Sequence, residues 1–372
     1  MSVRFLTAVS GRAFNMRDRF GREIDYMRIS VIDSCNLNCY YCNPQDNDKK
    51  CQAINTLSVK KVFCIVRAAT RLGITHFRLT GGEPLLHPQI DEMVSQIKKI
   101  PGVRSVSLTT NAVLLAQHAK QLKEAGIDSI NVSLDTIDAS EYEHITKKPL
   151  LHKVEQGIDA AIECGIRVKI NAVLTPQTDV VALTRYASKK GTDIRFIEMM
   201  PVGEGHTNGV EPYEKVIGAL LEVYGTPCYI DTENREEINS GYNNADNGPA
   251  EYYSFHGLDI RVGLIQAIHG KFCDTCNRIR VTADGRLMPC LGSSVTMDLV
   301  PDSCEFTGDL EKDFVIVQAL KAAIKAKPGC HNFNDNAVTY TKTTETKTVE
   351  TKTTELKAAE VNAARNMSRI GG

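Results

Sequence analysis

From residue 26 to residue 200, short apolar runs alternate with amphipathic stretches of helix length. This alternation is typical of repeated βα units, whose strands pair in parallel and whose helices cover the sheet. Between the first two strands, for example, Val62, Ile65 and Ala69 lie at helical spacing, and Gly73 ends the helix. The predicted strands lie near residues 27–32, 74–80, 103–109, 127–133, 166–173 and 193–199. We therefore expect an α/β fold, built as a partial (β/α)6 barrel that resembles a TIM barrel.

The charged residues nearly cancel, and this excludes some classes of protein. The 44 Lys and Arg residues stand against 45 Asp and Glu residues, which leaves a formal net charge of −1. No overall positive field is available to hold a nucleic-acid backbone. No apolar run approaches the roughly 20 residues that a membrane-spanning helix needs. We expect neither nucleic acid nor a membrane among the partners.

The chain contains twelve cysteines, a number that would indicate disulfide bonds in a short secreted protein. Near its start, however, residues 5–9 form only a short apolar stretch, which is less than the core of a signal peptide. The expected location is therefore cytoplasmic. Clustered cysteines in that compartment usually bind metals or carry out redox chemistry.

Unusual residues follow the predicted strands, at the ends that carry the chemistry of a βα barrel. In chain order they are Cys35 to Cys42, Gly81 to Pro84, Thr109 to Asn111, Ser133 to Asp135, Asn171 and Glu198 to Met200. Paired glycines such as Gly81 and Gly82 let a ligand approach bare backbone, and Glu83 can accept hydrogen bonds from an ammonium group. A simple turn is the alternative explanation of the glycines.

The first cysteine set consists of Cys35, Cys39 and Cys42, with the spacing C-x3-C-x2-C. Three thiolates from one short loop suit a four-iron cluster, because iron-sulfur clusters select soft sulfur ligands. The fourth iron then has no protein ligand, and an open metal position is how a site admits a reactant. Structural zinc is the alternative, but Cys51 and His76 are too far along the chain to supply a fourth ligand at a usual spacing.

The second cysteine set consists of Cys273, Cys276 and Cys290, with the spacing C-x2-C-x13-C. A zinc ribbon would need another C-x2-C pair, whereas Cys304 stands alone. On spacing alone, zinc remains an alternative at this set.

These motifs together resemble the radical S-adenosylmethionine (SAM) enzymes. Their signature is the C-x3-C-x2-C loop with an aromatic residue before the third cysteine, here Tyr41, and a Gly-Gly-Glu-Pro segment. The resemblance implies a barrel of the radical SAM type. In such a barrel SAM binds the open iron of a 4Fe-4S cluster and is cleaved to a 5′-deoxyadenosyl radical.

The second set narrows the resemblance to the GTP 3′,8-cyclases, the molybdenum cofactor biosynthesis protein A family. The match extends from about Phe20 to Leu291 and includes Phe-Gly-Arg before the first strand, the Cys-Asn-Arg-Ile-Arg segment and the final Gly371 and Gly372. It implies two 4Fe-4S clusters at opposite ends of one barrel, the second of which binds the guanine of GTP. The implied activity converts GTP to 3′,8-cyclo-7,8-dihydro-GTP, the first step of molybdenum cofactor (molybdopterin) biosynthesis, as a lyase.

The resemblance also implies roles for individual residues. The SAM contacts are Tyr41, Gly82, Glu83, Ser133 and Met200. The GTP contacts are Arg28, Arg78, Thr109, Lys169, Arg278, Ile279 and Arg280, and the four arginines among them are also expected to be catalytic. Arginine offers forked donors to phosphates and purine edges, although an ordinary solvated side chain is the alternative for any one of them. Three positions depart from the family pattern: Ser34 replaces a common Arg, Asn43 a common Met and Gly292 a frequent Phe.

Four segments are predicted along the chain. They are the radical SAM barrel (20–200), a C-terminal lobe with the second cluster (201–330), a low-complexity tether (331–360) and a tail (361–372) that ends in Gly371 and Gly372. The tether repeats a Thr-Lys-Thr-Thr-Glu pentad, and a five-residue step makes no continuous apolar face on a helix. We expect a flexible tether. The tail resembles one that threads into the active site, and a frayed end is its alternative.

The implied partners are GTP, cyclic pyranopterin monophosphate synthase as the downstream enzyme, and a reducing system. The sequence leaves the assembly open, with a homodimer among the options. Two other functions also remain open: a radical SAM enzyme with an auxiliary cluster that modifies another metabolite or a peptide, and an iron-sulfur electron carrier. Carriers close their clusters with four protein ligands, whereas each set here has three.

The two cysteine sets predict about eight irons in the reconstituted protein, from two clusters of four. Replacing Cys35, Cys39 and Cys42 with Ala should halve the iron content and abolish SAM cleavage. Replacing Cys273, Cys276 and Cys290 should also halve it but leave some SAM cleavage. Iron and zinc analysis of both variants tests this, and zinc in place of iron would favour the zinc alternative.

Overall fold

The computed structural model describes residues 16–42, 54–201, 211–230, 248–293, 296–299, 310–331 and 333. The predicted tether and tail lie outside the described residues, except for His331 and Phe333. Gly371, Gly372 and Asn43 therefore have no structural account.

Six parallel strands form the centre of one sheet. They are β1 (Tyr26–Ser30), β2 (His76–Thr80), β3 (Ser105–Thr110), β4 (Ser129–Ser133), β5 (Arg167–Val173) and β6 (Asp193–Ile197). Each pairs in parallel with the next along the chain. They correspond to the six predicted strands, and the α/β barrel fold is confirmed.

The chain beyond residue 201 extends this sheet at both ends. Its strands are β7 (Cys228–Ile230), β8 (Glu251–Ser254), β9 (Val262–Ile265), β10 (Arg278–Val281), β11 (Arg286–Met288) and β12 (Met297–Asp298). β9 pairs in parallel with β6, and β10 pairs in parallel with β1. Antiparallel strands follow outward, β8 and β7 at one end, β11 and β12 at the other. The prediction missed β9 and β10 as parallel strands, because no helix-length amphipathic stretch accompanies them.

Helices cover the outer face of the sheet. They are α1 (Val59–Thr70), α2 (Ile90–Lys98), α3 (Leu115–Ala125), α4 (Ala139–Thr146), α5 (Leu151–Glu163), α6 (Val180–Lys189), α7 (Ala219–Tyr224) and α8 (Leu310–Ala326). Their ends follow local chemistry: the Ser58 hydroxyl accepts a hydrogen bond from the Lys61 N–H at the start of α1, and Gly126 ends α3 with a φ of 90°. Within the described ranges, no helix has both the length and the apolar content needed to cross a membrane.

Side chains of the parallel strands alternate between two chemically different faces. On β1, Met27 and Ile29 are fully buried in the hydrophobic core under the helices. Arg28 lies between them and points to the opposite, inner face. Arg78 of β2 and Arg280 of β10 are in register with Arg28, so they share that face. The inner face is therefore polar and cationic.

The inner face is curved. In a flat sheet Arg195 on β6 would lie about 19 Å from Arg78 on β2, because four strand spacings of about 4.8 Å separate them. Burial lowers the pKa of Arg195, and the charge of Arg78 lowers it further. The charge of Arg78 therefore acts on Arg195 across the interior, as expected where the strands curve into an open barrel.

α8 is fixed to α1 through a buried carboxylate. Asp313 of α8 is 1% exposed and accepts two hydrogen bonds of 2.8 Å from the guanidinium of Arg67. Arg71 lies 3.2 Å from the same carboxylate. These contacts hold the start of α8. Beyond its other end, Lys327 donates to the Arg278 carbonyl of β10.

Candidate functional site

The first cysteine set lies in the loop that follows β1. This loop is anchored to the end of α4, since the Asn38 N–H donates to the Thr146 carbonyl at 3.0 Å. From beyond β3, the side-chain amide of Asn111 donates to Asn36 Oδ1 at 2.8 Å and lies 3.8 Å from Cys35 Sγ. The loop that carries the thiols is therefore held from two sides.

Gly81 and Gly82 pack directly against this cysteine loop. The Gly82 N–H donates to the Ile32 carbonyl at 2.7 Å, and the Glu83 N–H donates to the Ser34 carbonyl at 2.8 Å. A Cβ on Gly82 would lie 2.2 Å from the Ser34 oxygen, and one on Gly81 would lie 2.6 Å from the Ile32 oxygen. Contact between the two loops therefore requires both glycines, independently of any ligand.

Glu83 is buried beneath these loops, and its carboxylate accepts three hydrogen bonds from the protein. Oε1 accepts from Thr110 Oγ1 at 2.6 Å and from the Leu85 N–H at 3.0 Å, and Oε2 accepts from the Asn111 N–H at 2.7 Å. Burial raises the pKa of Glu83 to about 7, although these hydrogen bonds act in the opposite direction. Glu83 braces the ends of β2 and β3, and its contact with the ammonium group of SAM stays a prediction.

Tyr41 connects the cysteine loop to the far side of the barrel. Its hydroxyl donates to Asp135, whose other oxygen accepts from the Val173 N–H at 2.8 Å. Burial raises the pKa of Tyr41, and the charge of Asp135 raises it further. Ser133 is exposed at the end of β4, and Met200 follows β6. Residues predicted to contact SAM therefore stand at the same edge of the sheet as the first cysteine set.

The thiols of the first set fit a multi-iron cluster. Burial raises the pKa of Cys35 to about 12 and also raises that of Cys39, and the neighbouring cysteines of the set add to both shifts. A bound metal centre reverses this cost, because metal ligation stabilises thiolates. Among the described residues, no group of three or more His, Cys, Asp or Glu is arranged around a single metal ion. In a four-iron cluster each thiolate binds its own iron, so the thiols need not meet at one point.

The second cysteine set lies at the opposite edge of the sheet. Cys273 and Cys276 precede β10, which runs parallel to β1, and Cys290 follows β11. Burial alone would raise the pKa of Cys276, but the positive charges of Arg278 and Lys327 outweigh burial and lower the pKa to about 7. The two sets are thus separated by about the length of a five-residue strand, roughly 17 Å.

Arginines occupy the inner face between the two sets. Arg28 is in register with both Arg280 and Arg78. Burial and the charge of Arg280 lower the pKa of Arg28, and burial and the charge of Arg278 lower the pKa of Arg280 to about 10. Such a concentration of buried like charge is costly unless an anion shares the space. The face fits an anionic ligand.

Thr109 and Lys169 continue this polar face towards β5. The register pairs Thr109 with Asn131, and Asn131 with Lys169. Lys169 is 2% exposed, and its Nζ lies 3.9 Å from the carboxylate of Asp193. Burial and the charge of Arg195 lower the pKa of Lys169 to about 6. This side chain can therefore gain a proton when an anion binds beside it.

Several buried polar atoms of the barrel interior have no hydrogen-bond partner among the described residues. They are Thr109 Oγ1, Asn131 Nδ2, Arg195 Nη2, Tyr252 OH, Arg278 Nε and Arg280 Nη1. Leaving such an atom unpaired costs roughly 1–3 kcal/mol, so an interior with many of them fits a polar ligand. Three predicted GTP contacts, Thr109, Arg278 and Arg280, are among these residues.

Asn131, Arg195 and Tyr252 belong to the site but were not predicted. Arg195 donates through Nε to Asn171 Oδ1 at 2.9 Å, and a Cβ on Gly263 would lie 2.8 Å from its Cγ. The alternation of polar residues with apolar ones along β4 and β6 could have identified Asn131 and Arg195. Tyr252 had no such signal, because it comes from the antiparallel strand β8.

Ile279, a predicted GTP contact, differs from its neighbours. Its side chain is 1% exposed and belongs to the hydrophobic core on the outer face of the sheet. Residues 278 and 280 point inward because side chains alternate along β10. Only the backbone of Ile279 is available to the interior.

The glycine at position 292 is explained by an aromatic ring from elsewhere in the chain. A Cβ on Gly292 would lie 3.0 Å from a ring carbon of Phe333. Phe333 also packs against Met200 and Leu291. An aromatic side chain is thus present beside the second cysteine set, supplied by residue 333.

Comparisons with known proteins agree with this geometry. Residues 29–183 match the radical SAM superfamily, and residues 192–333 match the family described as Molybdenum Cofactor Synthesis C. GTP 3′,8-cyclase from Clostridium perfringens strain SM101 is 35% identical over 322 residues, covering 86% of this chain and 95% of that protein. GTP 3′,8-cyclase from Clostridium acetobutylicum is 37% identical over 331 residues, covering 88% and 98%. The SAM-bound crystal structure of SuiB from Streptococcus suis shares the fold, with a TM-score of 0.54 and 16% identity over 82% of this chain and 68% of that one.

The packing of Gly82 yields a stability prediction. Gly82→Ala should destabilise the protein by at least about 1–3 kcal/mol, because the new Cβ collides with backbone that cannot move without separating the loops. Gly218→Ala is the matched control, since Gly218 has helical backbone angles and open space at its Cβ. It should leave stability unchanged or increase it by about 0.4–1 kcal/mol. Denaturant unfolding of both variants measures the difference, and equal stabilities would contradict the packing argument.

Proposed function

The chain belongs to the GTP 3′,8-cyclase family of radical SAM enzymes, and we propose that it converts GTP to 3′,8-cyclo-7,8-dihydro-GTP. This reaction is the first step of molybdenum cofactor biosynthesis. The observation that carries the proposal is the cationic inner face, which lies between two three-cysteine sets at opposite edges of one barrel. A substrate held there can reach both sets.

The cofactors are SAM and two 4Fe-4S clusters. SAM at the first cluster would supply the radical that takes hydrogen from the ribose of GTP, and the second cluster would bind the guanine. In our proposal Cys35, Cys39 and Cys42 ligate the first cluster. The second is ligated by Cys273, Cys276 and Cys290. Tyr41, Gly82, Glu83, Ser133 and Met200 form the SAM site at the first edge. Glu83 and Tyr41 act there by fixing the loops, since their polar groups bond to protein atoms.

The chain's own residues bind and orient GTP. We assign the triphosphate to Arg28, Arg78 and Lys169. The charges of Arg28 and Lys169 are desolvated and therefore interact strongly with phosphate. Arg278, Arg280 and the Ile279 backbone lie next to the second set and are assigned to the guanine end. Thr109 offers its unpaired hydroxyl to the substrate between these two groups. The hydrophobic core between the sheet and the helices excludes water from the outer face of the sheet.

Other parts of the proposal rest on the sequence and on the family. We assign the enzyme to the lyase class and to the cytoplasm. It requires a reducing system, and its product passes to cyclic pyranopterin monophosphate synthase. The segments 20–200, 201–330, 331–360 and 361–372 are proposed as barrel, second-cluster lobe, tether and tail, with Gly371 and Gly372 directed to the active site. A homodimer is the assembly that we would test first.

The reaction is tested by anaerobic reconstitution with iron and sulfide, followed by incubation with SAM, dithionite and GTP. Chromatography should show 5′-deoxyadenosine and the cyclised nucleotide in equal amounts. A protein in which Cys273, Cys276 and Cys290 are replaced by Ala serves as the control and should form no cyclised product. If 5′-deoxyadenosine forms while GTP is not consumed, the enzyme class stands and the substrate is wrong.

The lowered pKa of Lys169 predicts how GTP affinity depends on pH. A bound triphosphate raises that pKa, so above about pH 6 GTP binding should be accompanied by proton uptake and should weaken as the pH rises. Lys169→Ala should cost about 1.5–3 kcal/mol of binding energy, roughly ten- to a hundredfold in Kd, and should remove the uptake. Arg28→Ala and Arg78→Ala should weaken GTP binding by a similar factor. In both variants GTP binding should still be accompanied by proton uptake.

Calorimetry at pH 7.5 in buffers of different ionisation enthalpy measures both the GTP affinity and the number of protons taken up. Lys189→Ala is the control, because Lys189 is exposed on α6. Proton uptake that persists without Lys169 would show that another group titrates.

A further inference from the structure

A buried lysine stands at the second cysteine set, immediately after α8. Lys327 is 2% exposed. Its ammonium group makes three contacts: the Arg278 carbonyl at 2.7 Å, the Pro289 carbonyl at 3.0 Å and Cys276 Sγ at 3.4 Å. An ammonium group has three N–H donors, so these contacts use all of them.

The three partners of Lys327 come from both halves of the second cysteine set. Cys276 is itself one of the thiols, Arg278 begins β10 two residues later, and Pro289 directly precedes Cys290. One side chain therefore fixes the distance between the Cys273–Cys276 part of the site and the Cys290 part. The compact ammonium suits this position, whereas a planar guanidinium presents its donors in a different geometry.

The residues that follow Lys327 hold the third thiol-bearing residue. Arg22 donates to the Pro328 carbonyl at 2.6 Å, to the Gly329 carbonyl at 3.0 Å and to the Cys273 carbonyl at 2.7 Å. Asp18 orients Arg22 through a contact of 2.6 Å to Nε. The end of α8 is thus linked to all three cysteines of the set. Backbone groups of His331 and Arg278 also hydrogen-bond to Cys273 and Cys276, and Lys327 brings a side-chain cation to the Cys276 sulfur.

Hydrogen bonds and fixed charges at cysteine sulfurs set the reduction potential of an iron-sulfur cluster. Reduction adds a negative charge, and a buried cation beside a ligand sulfur stabilises the reduced state. The interior position of Lys327 leaves little solvent to screen this effect.

We propose that Lys327 is a positioning residue of the second cluster, which orients Cys276 and raises the reduction potential of that cluster. This rests on the proposed function, because it requires a cluster at Cys273, Cys276 and Cys290.

The first experiment replaces the ammonium with an uncharged chain of similar length, Lys327→Met, in the full-length reconstituted protein. The control is Lys325→Met, since Lys325 is exposed near the end of the same helix. Redox titrations followed by electron paramagnetic resonance give the potential of the signal that disappears when Cys273, Cys276 and Cys290 are replaced. Lys327→Met should shift its oxidised-to-reduced equilibrium at least tenfold towards the oxidised form, about 59 mV for one electron. A potential equal to that of the control would overturn the proposal.

The second experiment keeps a positive charge at position 327. It tests the contact between Lys327 and the second cluster even if Lys327→Met fails to fold or to bind iron. The wild-type protein is labelled with 15N at the lysine Nζ, and pulsed electron paramagnetic resonance is recorded on the reduced second cluster. A lysine nitrogen coupling should be present, should persist in Lys325→Met and should vanish in Lys327→Arg. An intact cluster without this coupling rejects the inference alone. Iron of about four per chain, with no second signal, rejects the proposed function instead.

Discussion

The interior of this barrel is governed by the repulsion between its own cations. The strict alternation of side chains along each strand sends the apolar residues to the helices and leaves arginine and lysine inside, where Arg28, Arg78 and Arg280 stand in adjacent strands. Asp193 offsets part of this charge near Lys169. Buried like charges of this kind favour an anion that binds beside them, so the feature that raises the energy of the interior also suits it to an anionic ligand.

The protein supports its two reactive edges in different ways. At the first edge the loops press against each other, with Gly82 and the cysteine loop in backbone contact and Glu83 bonded to the end of β3. At the second edge long cationic side chains reach in from sequence-distant segments, Arg22 from before β1 and Lys327 from after α8. Where loops pack against each other, a substitution at any contacting position disturbs the edge. Where a few long side chains hold the edge, its structure depends on those residues.

Much of the barrel and of its cysteines could be predicted from sequence, because both depend on local patterns. The six central strands follow from the βα alternation, and the cysteine spacings place both sets at strand ends. The roles of Gly81, Gly82 and Glu83 could not be read in this way, since they depend on which loops meet in space. Ile279 shows that a motif can also predict too many residues. A motif includes every residue of a run, whereas alternate side chains of a strand point away from the site, as that of Ile279 does. Tyr252 was missed because no motif contains it, and Arg195 because only the alternation along β6 marks it.

The span of the Arg22 contacts bears on how the chain is made. Arg22 bonds to residues 251 and 307 positions further along, Cys273 and Gly329. By contrast, the cysteines of the first set lie within eight consecutive residues, and their anchor at Thr146 is synthesised with the first half of the barrel. During synthesis on the ribosome the first site can take shape early. The second must wait until almost the whole globular part has emerged, because contacts between distant segments form only when both are present. A nascent or truncated chain would therefore have the first cysteine loop in place before the second cysteine set could assemble.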